Sequence, residues 1–337
     1  MELLKQLLLK GVKVIFAGLF AVVILSLFVI VYNYSGTHIE NKSGSTDYKW
    51  TPGQFRSTMV EGFAWNKVDD NGFNNAYPKG DGIDVLLMGS SHMEGFNVAP
   101  DETAAYHLNE LLENDGMYCY NIGTSGHTLV RCINNMDSAN REYKPKAYIV
   151  VETDTVAPPA DEMQMVLDGS LEKIKSYDSG ILYYLQKIPC IKVIFKNFQN
   201  LSKQSIYATQ PAENTDEKLA ESEYEKILND FLSKAKLSAQ NSRLIIVFHP
   251  TMLLRDNASV QTNTNKEALS MFEAICRKNN ILFVDMTDAF TKEYYANHAL
   301  PHGFINTNVG RGHLNRLGHR LIAEQVYEVI KECEGAK

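Results

Sequence analysis

The sequence predicts an α/β fold, a doubly wound parallel sheet, carried behind one N-terminal membrane-crossing helix. Three observations predict it. Short apolar runs alternate with amphipathic stretches from Ile83 onward. Glycine or small polar residues close those runs. An uncharged apolar segment opens the chain. Alternation of strand and helix means parallel strands joined by right-handed crossovers, with helices on both faces.

The apolar segment is Val14 to Tyr32, nineteen residues without a charge. At ~1.5 Å rise each they span the hydrocarbon core of a bilayer. Lys5, Lys10 and Lys13 precede it, which by the positive-inside rule leaves the N-terminus in the cytoplasm and the rest outside. A cleaved signal peptide is the alternative, but the run is long for one and ends in Val31-Tyr32-Asn33-Tyr34 rather than in small residues. The expected location is therefore the cell membrane, single-pass, with the domain after the helix extracytoplasmic.

Residues 33–82 are polar and rich in Gly, Asn, Ser and Thr, and read as a linker and partly ordered lead-in. Ile83–Met88 is a continuous apolar run closed by Gly89, the pattern of a buried parallel strand. Ala104–Glu113 reads as helix, Met117–Ile122 as strand, Leu129–Tyr143 as helix and Ala147–Val151 as strand. Residues 156–212 break the alternation and read as an insertion that covers the site, lies near the membrane, or forms a core helical pair. Glu217–Ala239 then reads as helix, Leu244–Phe248 as strand, Lys266–Lys278 as helix and Ile281–Val284 as strand. Leu317, Leu321, Ile322, Val326, Val329 and Ile330 mark one face of a final helix. The domain expectation is thus 1–32 stub and anchor, 33–82 linker and lead-in, and 83–337 the α/β domain with an insertion at about 156–212.

Composition narrows the function. Net charge is −7, which speaks against a bulk-basic nucleic-acid binder. Five cysteines stand apart without metal-ligand spacing, so neither a zinc site nor a disulfide framework is readable, and no metal or cofactor is expected.

In a doubly wound sheet, ligands sit beyond the carboxyl ends of the strands. Three sequence blocks fall there. Gly89-Ser90-Ser91-His92 follows the first strand and puts a serine on a turn. Asn121-Ile122-Gly123-Thr124-Ser125-Gly126 follows the second, a glycine-rich loop whose N–H groups suit a developing oxyanion. Gly310-Arg311-Gly312-His313-Leu314-Asn315-Arg316-Leu317-Gly318-His319 precedes the last helix and offers a histidine as general base. His249-Pro250-Thr251, after the fourth strand, also points to the cleft.

Together the three blocks resemble the SGNH (GDSL-like) hydrolase family over roughly residues 83–331. The resemblance implies a flavodoxin-like doubly wound sheet, Ser91 as nucleophile, His313 as base, and the N–H groups of Ser91 and Gly126 as oxyanion donors. The chain departs from that pattern twice. The family's triad aspartate falls at Gly310, which has no side chain. The family's Gly-x-Asn-Asp block is replaced by Glu152-Thr153-Asp154-Thr155. The orienting group is then a backbone carbonyl or an acid from elsewhere, with Asp154 and Glu152 as the nearest candidates by topology. The variant Gly-Ser-Ser-His block behind an anchor looks like bacterial envelope proteins of alginate and peptidoglycan O-acetylation and teichoic acid D-alanylation. Proteins of that kind work with a membrane-bound O-acyltransferase partner, and His92 belongs to their pattern.

Three functions are open: an O-acyltransferase acting on a cell-surface or secreted polysaccharide through an acyl-Ser91 intermediate, a carbohydrate O-acetyl esterase, and a non-catalytic polysaccharide- or partner-binding protein. Ser91 and His313 serve the first two alike.

Overall fold

The computed structural model describes residues 1–80, 82–174, 180–195 and 220–335. A five-stranded parallel sheet lies at its centre. Its strands are β6 (Val85–Met88), β7 (Cys119–Asn121), β8 (Tyr148–Thr153), β9 (Arg243–Phe248) and, after a small hairpin of β10 (Met252–Leu254) and β11 (Val260–Thr262), β12 (Leu282–Asp285), in spatial order β12-β9-β8-β6-β7. The first strand in sequence therefore lies between the second and the third, the 2-1-3-4-5 order of flavodoxin-like sheets, with its switch point at β6. Residues 81, 175–179, 196–219 and 336–337 lie outside the described residues, so that part of the expected insertion is not described.

Both faces are covered, and the strand alternation assigns side chains to each. Leu86, Met88, Ile149, Val151, Leu244 and Ile246 pack with α4 (Leu129–Tyr143), α7 (Glu221–Ser238) and α8 (Lys266–Lys278). Val85, Leu87, Val150, Ile245 and Val247 pack with α3 (Ala104–Leu112), α9 (Thr287–Asn297) and α10 (Arg316–Gly335). Strands buried on both faces need apolar side chains at every position, which is why they read as unbroken runs rather than alternating ones. All five cysteines are unpaired, and four are buried.

The N-terminal helix α1 (Glu2–Tyr32) has no buried residue and is long and apolar enough to cross a membrane. After it comes the largest departure from the sequence reading. Residues 33–82, expected as linker and lead-in, carry β1 (Asn33–Tyr34), β2 (His38–Glu40), β3 (Tyr48–Trp50), β4 (Phe55–Thr58) and β5 (Ala64–Lys67). They form two small antiparallel sheets, β1-β4-β5 and β2-β3. Their polar composition goes into internal hydrogen bonds rather than into solvent. Asn41 Nδ2 donates to Ser45 and Thr46 hydroxyls, and Asn66 Nδ2 donates to the carbonyls of Phe96 and Val98. Trp50, Val68 and Phe96 make a small core that ties this layer to the turn after β6. The Arg56 guanidinium lies between the Trp50 and Phe96 rings, 3.7 and 3.6 Å from their centres.

The described parts of the insertion go to three places. The helix α5 (Ala160–Asp168) buries Met163 and Val166 in the core beside α4 and α7, as a core helix would. Ile174 lies 3.7 Å from the point where a Gly126 side chain would begin. Further on, α6 (Gly180–Gln186) opens the segment 180–195, in which Cys190 Sγ meets the Val22 carbonyl of α1 at 3.7 Å.

Candidate active site

The turn after β6 is built by what lies under it. A side chain at Gly89 would collide with Glu152 and Met93. Ser90 caps the short helix α2 (Ser91–Glu94) by accepting the His92 N–H, and its own N–H and hydroxyl donate to Glu152 Oε2 at 2.8 and 3.0 Å. Ser91 is thereby held at the first helical position.

The Ser91 hydroxyl lies 2.9 Å from His313 Nε2. The other ring nitrogen, Nδ1, lies 2.8 Å from Glu61 Oε2, and the His313 backbone N–H donates to Glu61 Oε1 at 2.8 Å. A carboxylate only accepts, so Nδ1 carries the proton and Nε2 presents a lone pair to the Ser91 O–H. Serine, imidazole and carboxylate thus line up as in a hydrolytic triad.

Glu61 comes from the β4–β5 hairpin, in the stretch expected to be a lead-in, and no local pattern announced it. It lies 252 residues from His313 in sequence. Its hairpin tip is fixed from two sides. Asn306 accepts the Gly62 N–H and donates to the Met59 and Gly62 carbonyls, while Asn97 donates to the Glu61 carbonyl. Gly312, at φ +88°, leaves the space that Glu61 Oε1 fills. The acid that Gly310 cannot provide therefore enters from another layer. Asp154 is exposed and makes no hydrogen bond to His313. Glu152 is buried and bonded elsewhere. Neither acid takes the orienting position.

The β7 loop is tied to the same turn. Thr124 N–H donates to the Gly89 carbonyl, and Asn121 bridges the Met93 carbonyl and the Gly123 N–H. Among the described residues no hydrogen bond uses the N–H of Ser91 or of Gly126.

Behind the serine lies a buried network. His249 Nε2 meets Glu152 Oε1 at 2.7 Å, and His249 Nδ1 meets His302 Nε2 at 3.2 Å. His92 Nδ1 accepts the Leu314 N–H. Burial acts first on Glu152 and pushes its carboxyl up. The His249 hydrogen bond, the charges of His249 and His92, and the Ser90 N–H outweigh it and hold the group at about 2. Burial, then the neighbouring His249 charge, pushes His92 down to about 3 and His302 down to about 2. His92 and His249 therefore lie behind the Ser91–His313 pair, in the shell that holds it. One ring nitrogen each of His92, His249 and His302 lies within 4.8 Å of the other two. Zinc would need converging lone pairs there. The Leu314 N–H fixes the neutral His92 proton on Nε2, and the carboxylate fixes the His249 proton on its own Nε2. His302 Nε2–H then donates to His249 Nδ1. In that placement the rings form a hydrogen-bonded relay without three converging lone pairs, and the buried His302 Nδ1 has no hydrogen-bond partner among the described residues.

The last block divides its labour. His313 faces Ser91, whereas Asn315 caps α10 and ties down the Leu300 and Gly303 carbonyls. His319 is buried and accepts the Ala104 N–H.

No family model and no curated protein matches the sequence. Solved structures do match. A two-domain esterase active on acetylated mannans, co-crystallised with mannopentaose, overlaps 74% of this chain and 49% of its own, at 13% identity and a TM-score of 0.41. This chain thus spans about half the length of that protein. The acetyl xylan esterase AlAXEase overlaps 74% of this chain and 100% of its own, at 13% identity and a TM-score of 0.39. A GDSL-like lipase from Bacteroides thetaiotaomicron overlaps 74% and 88%, at 14% identity and a TM-score of 0.34. These overlaps are too partial to transfer any residue's role, and the site rests on its own geometry.

Proposed function

We propose that this chain is a serine-dependent enzyme of ester chemistry, anchored in the cell membrane by α1 with its sheet domain outside, and that it transfers an acyl group to a polysaccharide hydroxyl. The observation that carries this reading is the Ser91–His313–Glu61 line, with Nε2 2.9 Å from the nucleophile and Nδ1 2.8 Å from the carboxylate.

The first half-reaction follows from that geometry. Ser91 Oγ attacks the ester carbonyl while its proton passes to His313 Nε2. Glu61 keeps the proton on Nδ1 and stabilises the imidazolium that forms. The N–H groups of Ser91 and Gly126 face the tetrahedral oxygen. The donor's alkoxide leaves with the proton from Nε2, and acyl-Ser91 remains. An acceptor hydroxyl then gives its proton to Nε2, attacks the acyl carbon and restores the serine.

Two features support transfer. The site lies a short chain distance from the end of α1, which concentrates it near a membrane-borne donor. The resemblance of the Gly-Ser-Ser-His block implies a membrane-bound O-acyltransferase partner as that donor's source. A second reading, a carbohydrate O-acetyl esterase, is favoured by the exposure of the base. The His313 side chain is 31% and the Glu61 side chain 24% exposed, so water reaches the same nitrogen.

The test is labelling of the full chain with a fluorophosphonate, followed by acyl transfer. An adduct on Ser91 that is lost in Ser91→Ala is expected. No adduct on the intact chain, or one that survives the substitution, favours a binding protein instead. Incubation with an acetyl donor and oligosaccharides then separates the two enzymes by mass spectrometry. Acetyl gained by the glycan means transfer, and acetyl lost from an acetylated glycan means hydrolysis.

A further inference from the structure

Six exposed large apolar side chains, Phe55, Val60, Phe63, Trp65, Ile305 and Val309, lie on or beside the Glu61 hairpin. β1 follows α1 directly, and Asn33 pairs with Thr58 of β4. Antiparallel partners stand about 5 Å apart, and three further residues reach at most ~10 Å. Glu61 therefore lies within ~15 Å of the point where the chain leaves the helix. Phe55 and Trp65 lie on the outward face of the β1-β4-β5 sheet, opposite the face that buries Ala64 and Asn66. Val60 and Phe63 flank Glu61 at the hairpin tip, and all four are exposed by about half or more. Ile305 and Val309 extend the patch, close to Asn306, whose amide holds that tip.

Two contacts tell what covers this patch. The Trp65 indole N–H donates to the Val31 carbonyl, in the last turn of α1, at 3.0 Å. The segment 180–195, with exposed Ile181, Tyr184 and Ile194, reaches α1 at Val22. Val22 lies ten residues before the helix end, about 15 Å down its axis. If α1 spans a bilayer, Trp65 falls at its surface, where indoles with one wet edge settle, and the segment 180–195 falls within it. Lys67, on the Trp65 face, suits the phosphate level.

We propose that Phe55, Val60, Phe63 and Trp65, with the segment 180–195, form a lipid-contacting surface that seats the Ser91 site on the bilayer. The proposal rests on the reading of α1 as a membrane span. The ester that Ser91 attacks is accordingly one held at the membrane surface, and the catalytic acid is carried on the element that touches lipid.

The chain contains two tryptophans, and Trp50 is buried, so Trp65 can be read by difference. The full chain is placed in phosphatidylcholine vesicles, and the fluorescence of Trp65→Phe is subtracted from that of the unaltered protein. Lipid brominated near the headgroup is expected to quench most of the difference signal, and aqueous iodide to quench little of it. A difference signal open to iodide and untouched by brominated lipid overturns the proposal. A Leu19→Trp reporter in the Trp65→Phe chain separates the two causes. Quenching of that reporter by lipid brominated near the chain ends, with Trp65 still wet, leaves the membrane span standing and removes the seated surface. No quenching of either removes both.

Discussion

The two nitrogens of His313 are served by regions built on different rules. Nε2 meets Ser91, on a turn at the end of a parallel strand, where chemistry, glycine and helix cap lie within four consecutive residues. Nδ1 meets Glu61, on a hairpin whose partners are Asn97, Asn306 and Gly312, none of them its neighbour in sequence. The first arrangement is local and could recur in any chain with the same block. The second exists only once a separate antiparallel layer has docked. Three residues before the histidine the chain has Gly310, without a side chain, and Glu61 in the hairpin orients the ring instead.

The sharpest way to break this comparison is to remove the acid. Glu61→Gln keeps the shape but takes away the charge that holds Nδ1–H, and is expected to lower kcat by roughly 10³- to 10⁴-fold with little change in KM. Gly310→Asp in a Glu61→Ala chain is expected to restore nothing. Position 310 has φ +84°, and a side chain there starts 3.0 Å from Leu300 Cδ1 and 3.2 Å from the Met252 carbonyl. Steady-state kinetics on one acetyl ester decides it. Recovery in the double variant would mean that the two positions are interchangeable.

Next in size is the buried relay under the serine turn. His249→Ala leaves Glu152 ionised, fully buried and short of one partner. Losing one member of such a pair costs about 3–5 kcal/mol. The urea midpoint is expected to fall accordingly, and an unchanged midpoint would show that the network does not hold the turn.

A smaller effect comes from pH. His302 and His319 are pushed down by burial, to about 2 and about 3, so both stay neutral in the folded chain. Unfolded, each binds a proton below its ordinary value of about 6.5. The unfolded state then holds more protons, so stability falls as pH drops through that value. Between pH 7 and 5 the loss is about 1–2 kcal/mol per ring, read from urea midpoints at the two values. Glu152 stays ionised in the folded chain across that window, and its unfolded carboxyl takes up protons only near pH 5, so it adds only ~0.2 kcal/mol to the loss. The smallest effect is expected at Asp154, which is exposed. Asp154→Ala should leave kcat/KM and the urea midpoint within ~0.5 kcal/mol of the unaltered chain. A large loss there would return Asp154 to the site.

The parts legible in the sequence were those whose signal is short-ranged. Leu129–Tyr143 and Lys266–Lys278 are helices over the residues that periodicity marks, because each buries one face against the sheet. The strands fall within a residue or two of their apolar runs. The pairing of Ser91 with His313 followed from the order of the blocks and from the rule that strand ends share a site. Residues 33–82 were opaque for the opposite reason. Their strands are two to four residues long, too short for a periodic signal. Their Asn, Ser and Thr side chains look solvated in sequence and are bonded inward in the fold. Glu61-Gly62 resembles any acidic turn until Asn306 and Gly312 are brought to it.

The span between Glu61 and His313 also sets the order in which the site is completed. A ribosome delivers the acid 252 residues before the base, so the triad closes only after all five central strands have been made. The same geometry decides where the protein can be cut. A soluble fragment that begins at the sheet, near residue 83, would keep Ser91, His313 and all five central strands and still lack its acid. One that begins just after Tyr32 keeps the hairpin and with it the complete line of proton transfer.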